Sequence, residues 1–538
     1  MMNITNYKIL KTLAVSIFMG CSVLNTQAQI YVDASATKGA NDGRSWNDAF
    51  TDLQRALDTA PEGTEIHVAS GTYKPTKIPG SSIDDDRKKA FHFNKDLVLK
   101  GSYNPVTSKQ VFTNPSILSG DFNDDDVITG SGSMLSITRN SENAHHVLIT
   151  QGLTSAAVIE GFYITGGFAN DNNSDIFYSG KVFYNDAGAG MHHIASSPSI
   201  VNTVISGNAA DFSGAGMYND ASSPSIINTV FSGNIADYDG GGMYNFFGSP
   251  SIVNTVFSGN VADYGGGMYN ANTSPSIVNT LFNENTAIDS GGGIFNISSS
   301  SNIVNSTFSG NIANFGGGIH NSSASPTIYN TVFYGNGSDI DNSKSTATGE
   351  HNFSEHYAEE SGYTALTTTP FLNSANPKGA DGIWFTTDDG LQPSASSPLI
   401  NAGDTKRLPL DTKDLDKDSN ITEAIPVDIT RRSRIAGTSV DVGAYEHGST
   451  VVLSVKEIDS NKLDIYSTGF KTLVIHGVFN AKTTANVYSL QGKLVASKTF
   501  NKFSTSNSLD VSTLSTGIYI VKMYNAKHQV HTKKLFIQ

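Results

Sequence analysis

Residues 240–260 read GGGMYNFFGSPSIVNTVFSGN, and similar copies of this stretch recur through the middle of the chain. Each copy contains short apolar runs separated by Gly, Ser and Asn, which is typical of strands and turns. A unit of this size cannot bury its strands alone, so the copies must stack on one another. The pattern predicts a parallel β-solenoid with regular coils over residues 188–340. The isoleucines of the motif, which set a period of 25 or 26 residues, are Ile200, Ile226, Ile252, Ile277, Ile303 and Ile328.

Two columns of asparagine repeat with the same period. Parallel coils stack at about 4.8 Å, so equivalent amides are expected to form hydrogen-bonded ladders. The first column is Asn202, Asn228, Asn254, Asn279, Asn305 and Asn330, and the second is Asn208, Asn234, Asn260, Asn285, Asn311 and Asn336.

A stripe of aromatic residues follows the Met or Ile of each copy. Such a row has two interpretations that the sequence leaves open: it binds the faces of sugar rings, or it packs by stacking within the solenoid. The candidate ligand-binding residues are Tyr218, Tyr244, Tyr269 and Phe295, and His320 continues the stripe.

Aspartates supply candidate calcium sites, with solvated turns as the alternative. One column lies three residues after each asparagine of the second ladder, where calcium could bridge the stacked like charges. A second group has the alternating oxygen spacing of a calcium loop but lacks the Gly of the EF-hand pattern. A turn at Asp121 and residues 124–126 is a further acidic segment. Calcium is therefore the candidate cofactor. The sequence does not require it, because solvated turns explain the same aspartates. The two sets of candidate calcium ligands are Asp211, Asp237 and Asp263, and Asp414, Asp416, Asp418 and Asn420.

Composition and the first residues indicate an exported protein. The 538-residue chain has a formal charge of −14 and a pI near 5.3, which argues against nucleic acid as a partner. Lys8 and Lys11 precede an apolar stretch that ends in Thr26-Gln27-Ala28, so residues 1–28 are predicted to be a signal peptide. The lone Cys21 falls inside it, and a lipoprotein box at Cys21 is the competing interpretation. No transmembrane span is expected in the mature chain.

The repeat resembles the right-handed parallel β-helix repeats of polymorphic outer-membrane proteins. Residues 45–57 resemble the N-terminal cap of such proteins, with a short helix for which Asn47 is the expected N-cap. Ser397-Pro398-Leu399-Ile400-Asn401-Ala402-Gly403-Asp404 and residues 440–446 are similar to the closing segment of the choice-of-anchor group. These resemblances imply an all-β, right-handed parallel β-helix over residues 29–447.

Residues 461–538 change character after a predicted linker at 448–460. Asn486-Val487-Tyr488-Ser489-Leu490-Gln491-Gly492-Lys493 and residues 514–521 resemble the type A sorting domain of the type IX secretion system. The resemblance implies a small C-terminal β-sandwich that contacts the secretion machinery and is then removed. It places the mature protein outside the cell or on the outer-membrane surface.

No catalytic site stands out. Residues 188–340 contain no Lys or Arg, so the repeats lack the base of a polysaccharide lyase, and stacked aspartates should have equal environments, unlike a catalytic pair. The leading hypothesis is therefore an adhesin-like or glycan-contacting scaffold without catalysis, whose partner is a polysaccharide or a surface protein. The alternative is a polysaccharide-degrading enzyme, a glycoside hydrolase or lyase, with its site in the loops of residues 80–185 or 340–430.

Overall fold

The computed structural model describes residues 29–80, 85–357 and 360–450, and in the C-terminal part residues 464–468, 472–476, 482–489, 492–501, 508–515, 517–525 and 530–537. The predicted signal peptide and most of the predicted linker lie outside the described residues. The chain divides into two compact units, residues 1–250 and 251–538. Among the described residues, no helix is long and apolar enough to cross a membrane.

The first unit consists mainly of parallel ladders, one strand per coil. Sheet 1 contains Gln29–Val32, Glu65–Ala69, Val98–Asn104, Val158–Glu160, Ser199–Val201 and Ser225–Ile227, with Lys109–Gln110 antiparallel at its side. Sheet 2 contains Gly71–Tyr73, Ser116–Ser119, Phe162–Thr165, Val204–Ser206 and Val230–Ser232. Sheet 3 contains Phe91–Phe93, Leu148–Gln151, Met191–Ile194, Met217–Asp220 and Met243–Phe246. The narrow sheet 4 contains Phe168–Ala169, Ala209–Ala210 and Ile235–Ala236.

Non-repeated elements complete the first unit. One hairpin pairs Val127–Thr129 with Ser136–Thr138, and another pairs Ile176–Tyr178 with Lys181–Phe183. Short 3-10 turns occur at Asp86–Lys88 and Gly132–Met134. The capping helix Leu53–Thr59 forms as expected, but its N-cap is Asp52, whose side chain accepts from Gln54 N, and not Asn47.

The second unit repeats the arrangement. Sheet 5 contains Ser251–Val253, Ser276–Val278, Asn302–Val304, Thr327–Tyr329 and Thr348–Glu350. Sheet 6 contains Val256–Ser258, Leu281–Asn283, Thr307–Ser309, Val332–Tyr334, Asn352–Ser354 and Tyr363–Ala365. Sheet 7 contains Met268–Ala271, Ile294–Ile297, Ile319–Ser322 and Ile340–Ser343. Sheet 8 contains Val261–Tyr264 and Thr286–Ser290.

Stacked copies of the same side chains fill the interior of these coils. Phe257, Phe282 and Phe308 are fully buried, and their rings stack at centroid distances of 4.9 and 4.7 Å. Backbone conformation and the close stacking of coils explain the glycine triplet of the repeat. Gly265 has φ +66°, a left-handed conformation that favours glycine, and a Cβ at Gly267 would lie 2.6 Å from the carbonyl oxygen of Gly293 and 3.1 Å from Phe282 Cδ1.

The second predicted asparagine ladder is confirmed by hydrogen bonds, whereas amide hydrogen bonds of the first join its members in pairs. In the first, Asn279 Nδ2 donates to Asn254 Oδ1 and Asn330 Nδ2 to Asn305 Oδ1, both at 3.1 Å, but Asn279 Oδ1 has no hydrogen-bond donor among the described residues. All six members have φ near +50°, a conformation that Asn tolerates better than most residues. In the second, Asn285 Nδ2 donates to Asn311 Oδ1 and to the carbonyl of Phe257, both at 2.9 Å. A third ladder, in which Asn270 donates to Asn296, was not predicted.

The solenoid strands end earlier than the resemblance implied. The last of them is Tyr363–Ala365, and among described residues 366–450 the structure has only isolated bridges and the 3-10 turn Thr405–Arg407. Asparagines of the first column donate hydrogen bonds to this closing segment. Asn330 Nδ2 donates to the carbonyl of Asp404, and Asn279 Nδ2 donates to that of Val427.

The C-terminal strands form two antiparallel sheets around one apolar core that includes Leu473, Val487 and Val521. The right-handed parallel β-helix with a C-terminal β-sandwich is therefore confirmed as the fold class. One sheet contains Asp464–Thr468, Thr472–His476 and Ser508–Asp510, and the other contains Leu494–Phe500, Thr483–Ser489, Gly517–Asn525 and Val530–Ile537.

Candidate functional site

The predicted aromatic stripe stacks face to face in both units. In the first unit the rings of Tyr218 and Tyr244 lie 4.8 Å apart at 11°. In the second, Tyr269 and Phe295 lie 5.0 Å apart at 8°, and His320 continues the stack at 5.0 Å. Each ring in a stack covers a face of the next ring, and Tyr218 and Phe295 are buried. This geometry favours the packing interpretation, and ligand binding by the stripe stays a prediction.

One residue of a histidine pair in the first unit, His192, is in register with this stripe, and its ring lies 4.7 Å from that of Tyr218. His192 and His193 both lie in the strand Met191–Ile194 and are fully buried. Burial lowers the pKa of His193 to about 3, and Thr150 Oγ1 lies 2.5 Å from its Nδ1. Both side chains are therefore neutral packing residues at physiological pH.

A groove of about 270 Å³ runs beside sheet 4 of the first unit. Its floor is made of the short side chains Ala209 and Ala210, and Asp211 and Asp237 stand along it. The opposite wall is the hairpin of residues 127–138, which rests so closely on the solenoid that a Cβ at Gly207 would lie 2.8 Å from Ile128 Cδ1. The lining residues are Leu135, Ser136, Ile137, Asn140, Phe168, Ala209, Ala210, Asp211, Ile235 and Asp237.

Each of the two groove aspartates is followed by an exposed aromatic ring. Phe212 is 44% exposed and Tyr238 is 53% exposed, and their ring centroids are 5.5 Å apart at 47°. Unlike the stacked stripe, these rings keep much of their surface open. In the sequence, these rings belong to the repeated Ala-Asp-aromatic triplets at residues 210–212 and 236–238. The predicted calcium column includes the aspartates of these triplets but not the aromatic residues that follow them.

The two groove carboxyl groups have unequal surroundings. Burial raises the pKa of Asp211, the charges of Asp237 and Asp186 raise it further, and the guanidinium of Arg87 opposes them. For Asp237 burial alone raises the pKa. Arg87 comes from outside the repeats and is held by the carbonyls of Phe168 (2.9 Å) and Asn143 (2.8 Å). The expected equivalence of stacked aspartates is therefore wrong at this end of the repeats.

The second unit carries related side chains at its own sheet 8. Asp263 and Tyr264 lie in the strand Val261–Tyr264 and are partly buried. Phe315 is 54% exposed, and Ile288 and Ile312 are also exposed. Asp263 therefore belongs to the second unit, whereas Asp211 and Asp237, with which it aligns in the repeat, belong to the first.

The predicted calcium loop is only partly assembled. Oxygens of Asp414, Asp416 and Asp418 lie within 4.8 Å of one another. The amide oxygen of Asn420 instead accepts from the backbone and side chain of Thr422. A second grouping of Asp411, Asp416 and Glu423 overlaps it. Calcium binding at this loop stays a prediction.

The closing segment also contains buried charges that the sequence did not reveal. Arg434 is fully buried and donates to the carbonyls of Asp441 (2.9 Å) and Gly443 (2.6 Å). Glu446 accepts from Ala436 N and Asp441 N, both at 2.9 Å. Backbone groups pair with both buried side chains, which supports a structural role for the motif of residues 440–446.

Comparison with known families decides the role of the C-terminal sandwich. Residues 468–538 match the family model of the secretion system C-terminal sorting domain. The chain carries a type IX secretion sorting domain. The protein is therefore a secreted or cell-surface protein, and its tail interacts with the secretion machinery. The predicted signal peptide, and the exact location after export, stay predictions.

No curated protein matches this chain. Two solved structures are similar to it at low sequence identity. The crystal structure of pectate lyase Pel9A has a TM-score of 0.44 and 16% identity, covering 78% of this chain and 96% of that one. The enzymatically active domain of tailspike protein 2 of bacteriophage CBA120 has a TM-score of 0.21 and 11% identity, covering 95% and 76%. Neither likeness transfers a function to this chain.

Proposed function

We propose that this protein is an adhesin-like, exported scaffold that binds a neutral polysaccharide in the groove beside sheet 4. The observation that carries the proposal is the pairing of the exposed rings Phe212 and Tyr238 with Asp211 and Asp237. Aromatic faces pack against the C–H faces of sugars, and ionised carboxylates accept strong hydrogen bonds from hydroxyl groups. Exposed apolar groups beside a polar rim mark interaction surfaces.

The charge of the groove selects the class of polysaccharide. Two carboxylates line it, none of its lining residues is Lys or Arg, and the whole chain carries a formal charge of −14. Such a field repels polyanions such as uronate polymers. Its volume is slightly below the roughly 300–1,000 Å³ of ligand pockets, so the groove would hold a short part of a chain that continues over the exposed rings.

Removing the two rings tests the proposal. In the full chain, replacing both Phe212 and Tyr238 by Ala is expected to weaken binding to xylan, mannan or mixed-linkage β-glucan by at least about tenfold, since each lost ring contact costs roughly 1 kcal/mol. Affinity electrophoresis in polysaccharide gels, or calorimetry with soluble polymer, measures the effect. Polygalacturonate serves as the charged probe.

Two matched variants separate the groove from other aromatic surfaces. Phe247→Ala removes a Phe that is 62% exposed elsewhere in the first unit, and Tyr244→Ala breaks the stacked stripe. Both should bind polymer as the unmodified protein does. Equal binding by the Phe212/Tyr238 double variant, or a preference for polygalacturonate, would contradict the proposed groove, and loss of binding in Tyr244→Ala alone would return the role to the stripe.

Polysaccharide cleavage is a second candidate, favoured by the unequal carboxyl environments. Adjacent coils place Asp211 and Asp237 about 4.8 Å apart along the solenoid, close to the roughly 5–5.5 Å of retaining glycosidases. If the protein is a hydrolase, its reaction with the polymer should generate new reducing ends. Asp211→Asn or Asp237→Asn should then lower turnover by about 10²-fold or more while polymer binding persists. Binding without turnover supports the scaffold.

A further inference from the structure

An oxygen-rich cluster lies at the base of the hairpin that walls the groove. Asp125 and Asp126 directly precede its first strand, and Glu142 and Asn143 follow its second strand closely. Asp121 organises the loop between them, because its Oδ1 accepts from Asn123 N (3.0 Å) and Asp124 N (2.7 Å) and its Oδ2 from Asp126 N (3.1 Å). Two chain segments separated by the hairpin thus converge on one point.

Several oxygens of this cluster are buried without a hydrogen-bond donor among the described residues. They are Asp125 Oδ1, Asp126 Oδ1, Glu142 Oε1 and Asn143 Oδ1. Buried acceptors left unpaired are costly, and each requires an explanation. Like charges add to the cost, because ligand oxygens of three acidic residues of the cluster, Asp121, Asp125 and Glu142, lie within 4.8 Å of one another.

Asn143 provides evidence for a bound cation that does not depend on the acidic charges. It is only 1% exposed, and its Nδ2 donates to Asp126 Oδ2 at 2.9 Å, which fixes the amide orientation and places the side chain at the cluster. Its Oδ1 nevertheless has no donor in the described part of the chain. A neutral, buried amide oxygen beside carboxylates is a ligand that hard cations use.

The donor atoms of the cluster identify the cation. Ligand atoms of Asp121, Asp125 and Glu142 lie within 4.8 Å of one another. Two oxygens bound to one Ca²⁺ can be separated by at most twice the metal–oxygen distance, about 4.6–5.2 Å, so this cluster is compact enough to hold calcium. Carboxylates and an amide oxygen, with no nitrogen or sulfur donor in the cluster, are typical of calcium.

We propose that Asp121, Asp125, Glu142 and Asn143 form a calcium site that fixes the 127–138 hairpin over the groove. The ion supplies the partner that the orphaned oxygens of Asp125, Glu142 and Asn143 lack, and it neutralises the repulsion between the carboxylates. The site is continuous with the groove floor, because Ala144, next to Asn143, accepts from Phe168 N at 2.8 Å, and Phe168 lines the groove. The prediction that calcium strengthens polymer binding rests on the proposed function. The prediction that calcium binds at this site does not depend on that function.

Calcium titration of the full chain without polysaccharide tests the site. After chelator treatment, calorimetry with CaCl₂ should show binding with a Kd of about 10⁻³ M or tighter, the range of extracellular modules. Glu142→Gln and Asp125→Asn are each expected to weaken this component about tenfold or more. Asp416→Asn, the matched change in the other acidic loop, should leave it unchanged. A wild-type isotherm in Glu142→Gln, or loss of all binding in Asp416→Asn, overturns the proposal.

Stability and exchange measurements guard against a folding artefact. In chelator, Glu142→Gln should unfold at the same or a higher temperature than the unmodified chain, because the substitution removes repulsion, and the rise in Tm on adding CaCl₂ should shrink. Calcium should slow amide exchange in Val127–Thr129 and Ser136–Thr138 of the unmodified chain. Unchanged exchange there at saturating calcium overturns the assignment. Calcium binding without any effect on polymer affinity would leave the metal site intact and count against the groove.

Discussion

Phe282→Ala is expected to destabilise the second unit by about 3–5 kcal/mol, the range for deleting a buried phenylalanine. Phe282 is fully buried and stacks on Phe257 at 4.9 Å and on Phe308 at 4.7 Å. The adjacent coils are fixed by their own strand pairing, so they cannot collapse into the space left behind. Denaturant unfolding followed by far-ultraviolet circular dichroism measures the effect.

An exposed phenylalanine of the same unit provides the control. Phe315 is 54% exposed, and Phe315→Ala should change the free energy of unfolding by about 0.5 kcal/mol or less. Amide exchange should rise in the strands Val256–Ser258 and Thr307–Ser309 of the Phe282 variant, which flank the cavity. Equal losses of stability in the two variants would show that the Phe column does not carry the core of these coils.

The coil period and the asparagine columns are the parts of the fold that the sequence predicted best. In a solenoid each coil copies its neighbour, so a repeated Asn or Phe at a fixed period reports the same environment in every copy. The asparagine ladders could therefore be placed from spacing alone. The period does not reveal which repeated side chains cover each other. The sequence therefore predicts ligand binding by the stacked rings of Tyr218 and Tyr244 and not by the exposed rings of Phe212 and Tyr238.

The non-repeated elements could not be placed from the sequence. The groove needs the 127–138 hairpin to fold back beside Asp211, and the acidic cluster needs Asp125 and Glu142 to meet across that hairpin. Neither contact leaves a periodic signal, because each depends on long-range packing. Arg87 likewise reaches the end of sheet 4 from a segment outside the repeats, and it makes the surroundings of Asp211 and Asp237 unequal.

Arg434→Met is expected to destabilise the closing segment by about 3–5 kcal/mol near neutral pH, because removing one partner of a buried ionic group leaves the other charges uncompensated. Arg434 faces the carboxyl groups of Glu446, Asp428 and Asp441. Fluorescence of Trp384, which is buried in this segment, reports its unfolding once Trp46 is replaced by Phe. Lys406→Met, at an exposed lysine of the same segment, should cost about 0.5 kcal/mol or less.

The pH dependence separates lost charge compensation from lost packing. Burial raises the pKa of Glu446 to about 7 although Arg434 opposes the shift. The folded state therefore holds this proton more tightly than the unfolded state, whose glutamates titrate near 4.3. The resulting stability is complete below about pH 4 and is lost as the pH rises towards 7. Without Arg434 the pKa rises further, so the deficit of Arg434→Met should be large at pH 8 and smaller at pH 5, and adding Glu446→Gln should recover part of it. A deficit that is the same at both pH values would mean that Arg434 acts through its packing and its two carbonyl contacts alone.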